Sequence, residues 1–442
     1  MPISTEQLAK AGVVGAGGAG FPTHVKLSAK ADTVVINAAE CEPLLHKDQE
    51  LILHYGDRLV EGLRRAMEAV GAKRGIVGIK RKYDKVIAHL QKLLLPGMEI
   101  GPLDDVYPAG DEFILVYQTL GRVIAPGAIP ITVGVVVLNV ETACNVAVAD
   151  RTPVIEKYVS IAGAVQNPCT VCVPIGAPLS VCLEAAGGAN IDDPAYVVGG
   201  AMMGFLTADL SMPVSKTTGG LIVLPKDHFI VQRKSWDWEK AARVGRAACD
   251  QCSKCTELCP RYLLGHPIEP AKTMRSLGFN LSMEANTAGS QFCSECNLCS
   301  YCSCPEGLDP RRVNAQNKQR IFKEGKRWTN PPFDPERAER LMSFRKTPTA
   351  RLMQRICLTQ FVNKGPLLEA RPNVSSVEIL LKQNVGAAAV PVVKIGDHVR
   401  AGDPVAVRPV VDGKTALGVD HHASIDGIIT AISDRGIRID RQ

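Results

Sequence analysis

The sequence predicts a multidomain chain in which an α/β unit is followed by smaller β-rich and α+β units. Three observations carry that prediction. The chain has 442 residues, more than one ordinary core of roughly 100–200 residues holds. Its apolar pattern changes along the length, from strands alternating with helical stretches to short β-like runs. Nine of its fifteen cysteines then crowd between 249 and 304.

Composition narrows the class. Hydrophobic residues make up 46% and charged residues 22%, as in a soluble globular protein. A net charge of +6 is too dilute for a nucleic-acid surface, which concentrates basic residues on one face. No basic segment followed by an apolar core opens the chain, so no secretory signal is expected. The most apolar stretch, Ile131 to Val140, is half the roughly 20 residues a spanning helix needs, so no membrane span is expected either. An intracellular chain this rich in cysteine points to metal rather than disulfides.

The first unit, residues 1–150, begins with Ser4 and Gln7 ahead of Leu8, a capping box on a short helix. Gly15-Ala-Gly17-Gly18-Ala-Gly20-Phe21-Pro22-Thr23-His24-Val25-Lys26 follows. It contains G-x-G-x-x-G, but a dinucleotide turn needs a strand before it and a helix within it. Here a helical piece precedes and Pro22 interrupts. The better reading is a glycine loop whose exposed N–H groups accept a phosphate, with Lys26 adding charge; a plain flexible loop is the bland alternative. Thr33 to Asn37 reads as a strand that delivers Glu40-Cys41-Glu42-Pro43 at its carboxyl end, where α/β sheets bind ligands. A solvated loop is the alternative for Glu40 and Glu42. Gly75–Ile79, Glu112–Tyr117 and Val133–Val140 read as further apolar strand pieces. The last runs into Asn139-Val-Glu141-Thr142-Ala-Cys-Asn145. Helical periodicity in Leu59–Val70 and Tyr83–Leu94 completes an α/β sandwich.

Residues 151–232 are β-rich, with runs at Tyr158–Gly163, Thr170–Gly176, Ala195–Gly200 and Gly220–Pro225. Cys169 and Cys172 form a lone C-x2-C in an apolar stretch and read as packing residues.

Residues 236–325 hold the cysteine runs. Cys249, Cys252, Cys255 and Cys259-Pro260 follow the ferredoxin spacing C-x2-C-x2-C-x3-C-P, in which the fourth cysteine ligates the other cluster. Zinc would more often use two C-x2-C pairs across a longer loop. The second run, Cys293, Cys296, Cys299, Cys302 and Cys304-Pro305, starts alike, but Ser303 stands where the fourth cysteine belongs. Either Cys304 ligates after a one-residue bulge or Cys302 does, and Pro305 favours Cys304. The expectation is two 4Fe-4S clusters with crossed ligation. Cys249, Cys252, Cys255 and Cys304 would hold one, and Cys293, Cys296, Cys299 and Cys259 the other. Clusters accept single electrons, so a hydride donor would require a flavin as converter.

Residues 326–372, within a basic, Pro-interrupted stretch starting at Arg311, read as a solvated helical connector, with partner docking as the alternative. Residues 373–442 carry two short hairpins, Val392–Val405 and His421–Ile429, related by G-D-x-V-x-x-G turns. They resemble the barrel-sandwich hybrid of biotinyl and lipoyl carriers without the carrier lysine. His421 and His422 stand near its place and read as surface residues.

The order F-P-T-x-x-K, N-A-A-E-C-E-P, Y-P-A-G-D-E and N-V-E-T-A-C-N-V resembles the flavoprotein subunit family of respiratory NADH dehydrogenase, and more closely its RnfC branch. The barrel placed after the clusters, where RnfC proteins carry it first, resembles the cobalamin reductases of propanediol-utilisation microcompartments over nearly the whole chain. That resemblance implies FMN and NADH binding in the first unit. Gly15, Gly17, Gly18, Gly20 and Lys26 would hold the FMN phosphate, with Ala19 where the family's loop has a further glycine. Phe21 would lie near the nucleotide. Asn37, Glu40 and Glu42 would contact the nicotinamide and flavin rings, Gly110, Asp111 and Glu112 the next segment, and Asn139, Thr142 and Asn145 the last. Glu40, Glu42 and Glu112 would shape the catalytic face. Residues 151–232 would be an SLBB-like β-grasp module. The implied reaction passes electrons from NADH through FMN and the clusters to cob(III)alamin and cob(II)alamin, supporting propanediol degradation. A corrinoid adenosyltransferase and shell proteins would be the partners, and the cytoplasm, inside a microcompartment, the location. Two alternatives stay open: an RnfC-like electron-transfer adaptor with no corrinoid, and a corrinoid-binding adaptor without NADH oxidation.

Overall fold

The computed structural model describes residues 3–278 and 284–441. Ser4 caps helix α1 (Thr5–Lys10): its hydroxyl accepts from Gln7 N, and the Gln7 side chain accepts from Ser4 N. Helix α2 (Thr23–Leu27) follows the glycine loop. Strands β1 (Thr33–Ala38), β2 (Arg74–Lys80) and β3 (Met98–Leu103), the two-residue β4 (Val106–Tyr107) and β5 (Val135–Asn139) come next. Four of them form a parallel sheet in the order β3-β2-β1-β5. Helices α3 (Lys47–Val70), α4 (Asp84–Gln91), α5 (Glu112–Leu120) and α6 (Val140–Val146) cover the sheet. Strands β1 and β5 are nearly continuous apolar runs, because both faces of the sheet are buried there, whereas the edge strand β3 is partly exposed. The chain adds β2 and β3 on one side of β1 and then places β5 on the other. The carboxyl ends of β1 and β5 therefore flank a topological switch point, where such sheets bind ligands.

One expected strand is a helix. Glu112–Tyr117 lies in α5, whose N-terminus is capped by Asp111 accepting from Phe113 N and Ile114 N at 3.0 and 3.3 Å. Its apolar run buries Leu115 and Val116 in the sheet-side core and Ile114 against Leu263 and Leu264, and the Asp cap was the sequence signal that distinguishes it from a strand.

The second unit is a mixed sheet of β6 (Glu156–Gly163), β7 (Cys169–Pro174), β8 (Pro194–Val198), β9 (Phe205–Thr207) and β10 (Gly220–Pro225), in the order β7-β6-β10-β8-β9, with helix α7 (Leu179–Ala185) packed against it. Cys169 and Cys172 are buried within β7. Helices α8 (Phe229–Lys234) and α9 (Trp238–Ala248) lead into the first cysteine run. That region is built from short turns and from helix α10 (Lys254–Glu257) through α11 (Pro260–Leu263), α12 (Pro270–Arg275) and α13 (Glu284–Thr287) to α14 (Pro310–Lys323).

The basic stretch after α14 is not a solvated connector. Helix α15 (Arg337–Leu341) packs Ala338 and Met342 against Leu263 and Leu264. Strand β11 (Thr347–Pro348) pairs antiparallel with β4. Helix α16 (Thr349–Arg355) and the residues after it bury Leu352, Ile356 and Leu358 beside Tyr107 and Leu298. A few well-spaced apolar residues thus strap three units together, although arginines and lysines dominate the composition.

The last unit forms two small sheets. One is β12 (Ser376–Leu380), β20 (Gly436–Asp440), β19 (Gly427–Ile432) and β14 (His398–Val399), and the other β13 (Val390–Pro391), β15 (Pro404–Val407) and β18 (His421–His422). A separate hairpin pairs β16 (Val410–Val411) with β17 (Lys414–Thr415). Val377, Ile379, Ile429 and Ile439 share one core with Val159, Val171 and Leu179 of the second unit. His421 is fully buried, contrary to the expectation of a surface residue. Its Nε2 lies 3.3 Å from Leu381 O, and burial lowers its pKa. His422 beside it is half-buried, with Nδ1 buried and without a hydrogen-bond partner, so it is not a surface residue either. Nearby, the buried Lys216 donates to Gly12 O at 2.8 Å and Asp420 O at 3.1 Å, joining first, second and last units. Among the described residues no helix is long and apolar enough to cross a membrane.

Candidate functional site

A cleft of about 1030 Å³ opens at the switch point, at the upper end of the roughly 300–1,000 Å³ typical of single-ligand pockets. Its floor is the glycine loop. Gly15 N donates to Phe21 O, Gly20 N to Gly15 O, and Ala16 N to Thr142 Oγ1 at 2.9 Å. Those bonds fold the loop while the N–H groups of Gly17, Gly18 and Ala19, all exposed and lining the cleft, donate to no group among the described residues. Gly18 has φ +113 with open space at its Cβ position, a conformation that favours glycine. Unpaired N–H groups in a concave loop make an anion seat, so the residues fit a mononucleotide phosphate. A helix precedes the loop, as expected, so it is not a dinucleotide turn.

Lys26, carried by α2, reaches the cleft with Nζ 2.9 Å from Glu112 Oε1 and 3.0 Å from Val137 O. Asn37, at the end of β1, donates to Gly110 O at 2.7 Å. Asn139, at the end of β5, caps α6 through Glu141 N and donates to Asp48 Oδ2 at 2.8 Å. Phe21, Glu40, Glu42, Gly110, Asp111, Glu112 and Thr142 also line the cleft. Gly20 and Asn145 do not. A Cβ at Gly20 would press on Thr217 at 3.0 Å, so Gly20 serves packing, and Asn145 lies in the last turn of the short helix α6.

The two motif glutamates differ in use. Glu42 accepts from Met202 N at 2.8 Å and Met203 N at 2.9 Å. It thereby holds a loop of the second unit, and Gly200 admits it because any Cβ there would overlap the carboxylate. Glu40 accepts from Asp48 N at 3.4 Å in left-handed backbone, φ +26. Burial raises the pKa of both. Asp111 caps α5 and accepts from Arg261 Nη2 at 2.9 Å, which ties the first unit to the cysteine region.

Sequence reasoning missed the charges beneath the loop. Glu141, 2% exposed, accepts from Lys47 at 2.9 Å and Lys157 at 2.6 Å, and Lys157 also donates to Ala16 O at 3.1 Å. Asp48, beside them, is raised to about 7 by burial, and its Oδ1 has no hydrogen-bond partner. The Asp48 position at the start of α3, just past the N-A-A-E-C-E-P motif, was the available signal. The far wall was missed too. Gly199, Gly200, Met203, Phe205 and Thr217 come from the second unit, Arg435 from the last, and Cys293, Cys296 and Lys318 from the cysteine region.

The cysteine runs repeat one backbone. Gln251 and Ser253 in the first, Glu295 and Asn297 in the second, have φ between 58 and 64 at matching places, so each C-x2-C-x2-C curls the same way. The runs then diverge. The second makes a π turn, Cys299–Ser303, closed by Cys304 N donating to Cys299 O at 3.2 Å, and that wider turn absorbs the extra residue. Cys304 consequently lines a surface pocket with Cys249, Cys252 and Cys255. Burial pushes the Cys255 thiol to about 12, and Cys304, Cys249 and Cys252 push it the same way. Burial also raises Cys259, and Cys296 and Cys293 push it the same way. Cys302 faces Arg351 and Arg355 instead. No three His, Cys, Asp or Glu side chains among the described residues converge on one ion position; thiolates at C-x2-C-x2-C spacing are the donor chemistry a cubane takes.

Comparison with known proteins follows the same division. Residues 8–148 match the Nuo51 FMN-binding domain, 158–206 the SLBB domain, 248–309 the 4Fe-4S dicluster domain and 361–441 the RnfC barrel sandwich hybrid domain. Cobalamin reductase PduS of Salmonella typhimurium is 44% identical over 99% of this chain and 96% of its own length. The chain belongs to the cobalamin reductase PduS family. The Citrobacter freundii member is 42% identical over the same shares. One component of the Na(+)-translocating ferredoxin:NAD(+) oxidoreductase complex of Acetobacterium woodii is 36% identical over 57% of this chain and 56% of its own. A PduS-family chain thus combines a flavin domain, a cluster domain, an SLBB domain and a hybrid barrel.

Proposed function

We propose that this chain is an NADH-dependent flavo-iron–sulfur oxidoreductase that reduces cob(III)alamin and cob(II)alamin. The observation that carries the reading is one cleft lined both by the exposed loop of Gly17, Gly18 and Ala19 and by Cys293 and Cys296. FMN, seated there, supplies the change from two-electron hydride chemistry to single-electron transfer. Gly17, Gly18, Ala19 and Lys26 would hold its phosphate. Asn37, Asn139 and Glu40, which line the same cleft, would contact the rest of it. Glu42 acts as a positioning residue, since both its oxygens are engaged by the Met202 and Met203 N–H groups. Glu112 orients Lys26 at the cleft wall through their ion pair. Hydride transfer needs no side-chain acid or base, so these groups orient and exclude water.

Two 4Fe-4S clusters are held in crossed fashion, by Cys249, Cys252, Cys255 and Cys304 and by Cys259, Cys293, Cys296 and Cys299. The working units are residues 1–150, 151–232, 236–325 and 373–442, with 326–372 as a strap. A corrinoid adenosyltransferase and microcompartment shell proteins are the expected partners, in the cytoplasm. Reconstituted protein given NADH and hydroxocobalamin anaerobically should bleach its flavin and form cob(II)alamin. Absence of bleaching would sink the reading; bleaching without cobalt reduction would favour an electron-transfer adaptor.

A further inference from the structure

The two thiol rings stand in different surroundings. Cys293, Ser294 and Cys296 line the flavin cleft, and the Tyr107 hydroxyl, from the same cleft, donates to Cys296 O at 2.7 Å. The ring of Cys249, Cys252, Cys255 and Cys304 lines a separate pocket at the surface, rimmed by Asp250, Gln251, Pro305 and Glu306. Cys252 is exposed there, as are those rim residues. The rings adjoin through Cys299 and Cys255, which are buried together in one small cluster with Ala271.

Resting on the activity proposed above, we infer that the Cys259/Cys293/Cys296/Cys299 ring is the inlet, the Cys249/Cys252/Cys255/Cys304 ring the outlet, and that the corrinoid docks over the outlet pocket, against the Gln251–Cys252 and Pro305–Glu306 lips. The flavin cleft offers the acceptor no comparable access to the outlet ring. The cobalt steps need one electron each, which matches a single-electron carrier at the surface. The balance is closed: one NADH gives up a hydride, becoming NAD⁺, and two cob(III)alamin each take one electron to become cob(II)alamin, with one proton released. No other reductant is required.

Three variants test the order and the dock. Cys293→Ser should leave one cluster that dithionite reduces, by electron paramagnetic resonance, but that stays oxidised with NADH although the flavin bleaches. Cys252→Ser should leave a cluster that NADH still reduces at the wild-type rate while hydroxocobalamin reduction is lost. Glu306→Trp removes no ligand; it should keep both cluster signals and flavin bleaching and slow cobalamin reduction on the order of tenfold or more by blocking the dock. Reduction of the remaining cluster by NADH in Cys293→Ser would overturn the order. If that variant does not fold, failure of NADH to reduce the cluster left in Cys252→Ser overturns it equally. Wild-type cobalamin reduction by Glu306→Trp would overturn the dock. Flavin bleaching of the wild-type protein by NADH is the control: its failure removes the donor and not the order, which photoreduced flavin then tests.

Discussion

Replacing Glu141 with Gln keeps the side-chain shape and removes the one negative charge between two buried lysines. The carboxylate is 2% exposed, with Lys47 Nζ at 2.9 Å and Lys157 Nζ at 2.6 Å. At an effective dielectric of about 20, attractions across such distances are worth about 6 kcal/mol each before desolvation is set against them. Removing one partner of a buried pair then costs about 3–5 kcal/mol net, because the other charge is stranded. Lys47 retains Asp48 at 3.8 Å, whereas Lys157 retains only the Ala16 carbonyl. The loss should therefore fall mainly on Lys157 and on the glycine loop it supports. Urea denaturation followed by circular dichroism should show the first transition of Glu141→Gln moved to lower urea by that amount. Pairing Glu141→Leu with Lys157→Met should recover a large part, since it strands one cation fewer. A single variant within about 0.5 kcal/mol of wild type, the range of ordinary surface changes, would refute the reasoning, as would a double variant no better than the single.

Three further outcomes follow from the site. Cys302→Ala should keep about eight irons per chain and Cys304→Ala about four, by iron and sulfide analysis of anaerobic protein, because each 4Fe-4S cubane needs its four thiolates; equal iron in both would reassign the fourth ligand. Lys26→Met should weaken FMN retention about tenfold, roughly 1.4 kcal/mol, in equilibrium dialysis, and unchanged retention would remove the lysine from the phosphate seat. Burial holds the Asp48 carboxyl at about 7 against a usual 3.8, so between those values the folded chain binds more protons than the unfolded one. Stability from this group is then full below about pH 4 and declines as pH rises through 7. Asp48→Asn should therefore gain stability relative to wild type at pH 8 compared with pH 5, and a difference independent of pH would contradict that.

The cysteine region was legible because ligand spacing is a local property: C-x2-C-x2-C dictates one loop shape, and both runs take it. The choice between Cys304 and Cys302 was not, since it depends on whether Cys299–Ser303 makes an α or a π turn, and Tyr301 and Leu298 beside it are buried in a core shared with distant segments. Parallel strands β1, β2 and β5 were readable from their apolar runs, and β3 was not, because Met98–Leu103 lies at the sheet edge with Glu99 and Pro102 exposed; Phe113–Tyr117 reads equally as strand or helix until Asp111 is weighed as a cap. Lys47, Glu141 and Lys157 were invisible as a group because Lys47 and Glu141 are 94 residues apart and meet only in the fold. The strap was hidden by its charge, as Leu352, Ile356 and Leu358 are few among many arginines and lysines. The burial of His421 and His422 escaped for a related reason: it follows from β18 pairing with β15 inside the last unit, which only the fold brings about.

The most direct measurement is a single-turnover stopped-flow experiment in which anaerobic protein is mixed with NADH and excess hydroxocobalamin while flavin and cobalt absorbance are followed together. The flavin should bleach first, and cob(II)alamin should then appear at two per NADH consumed. Cobalt reduction that precedes or bypasses flavin bleaching, or bleaching that never leads to cob(II)alamin, would contradict the account.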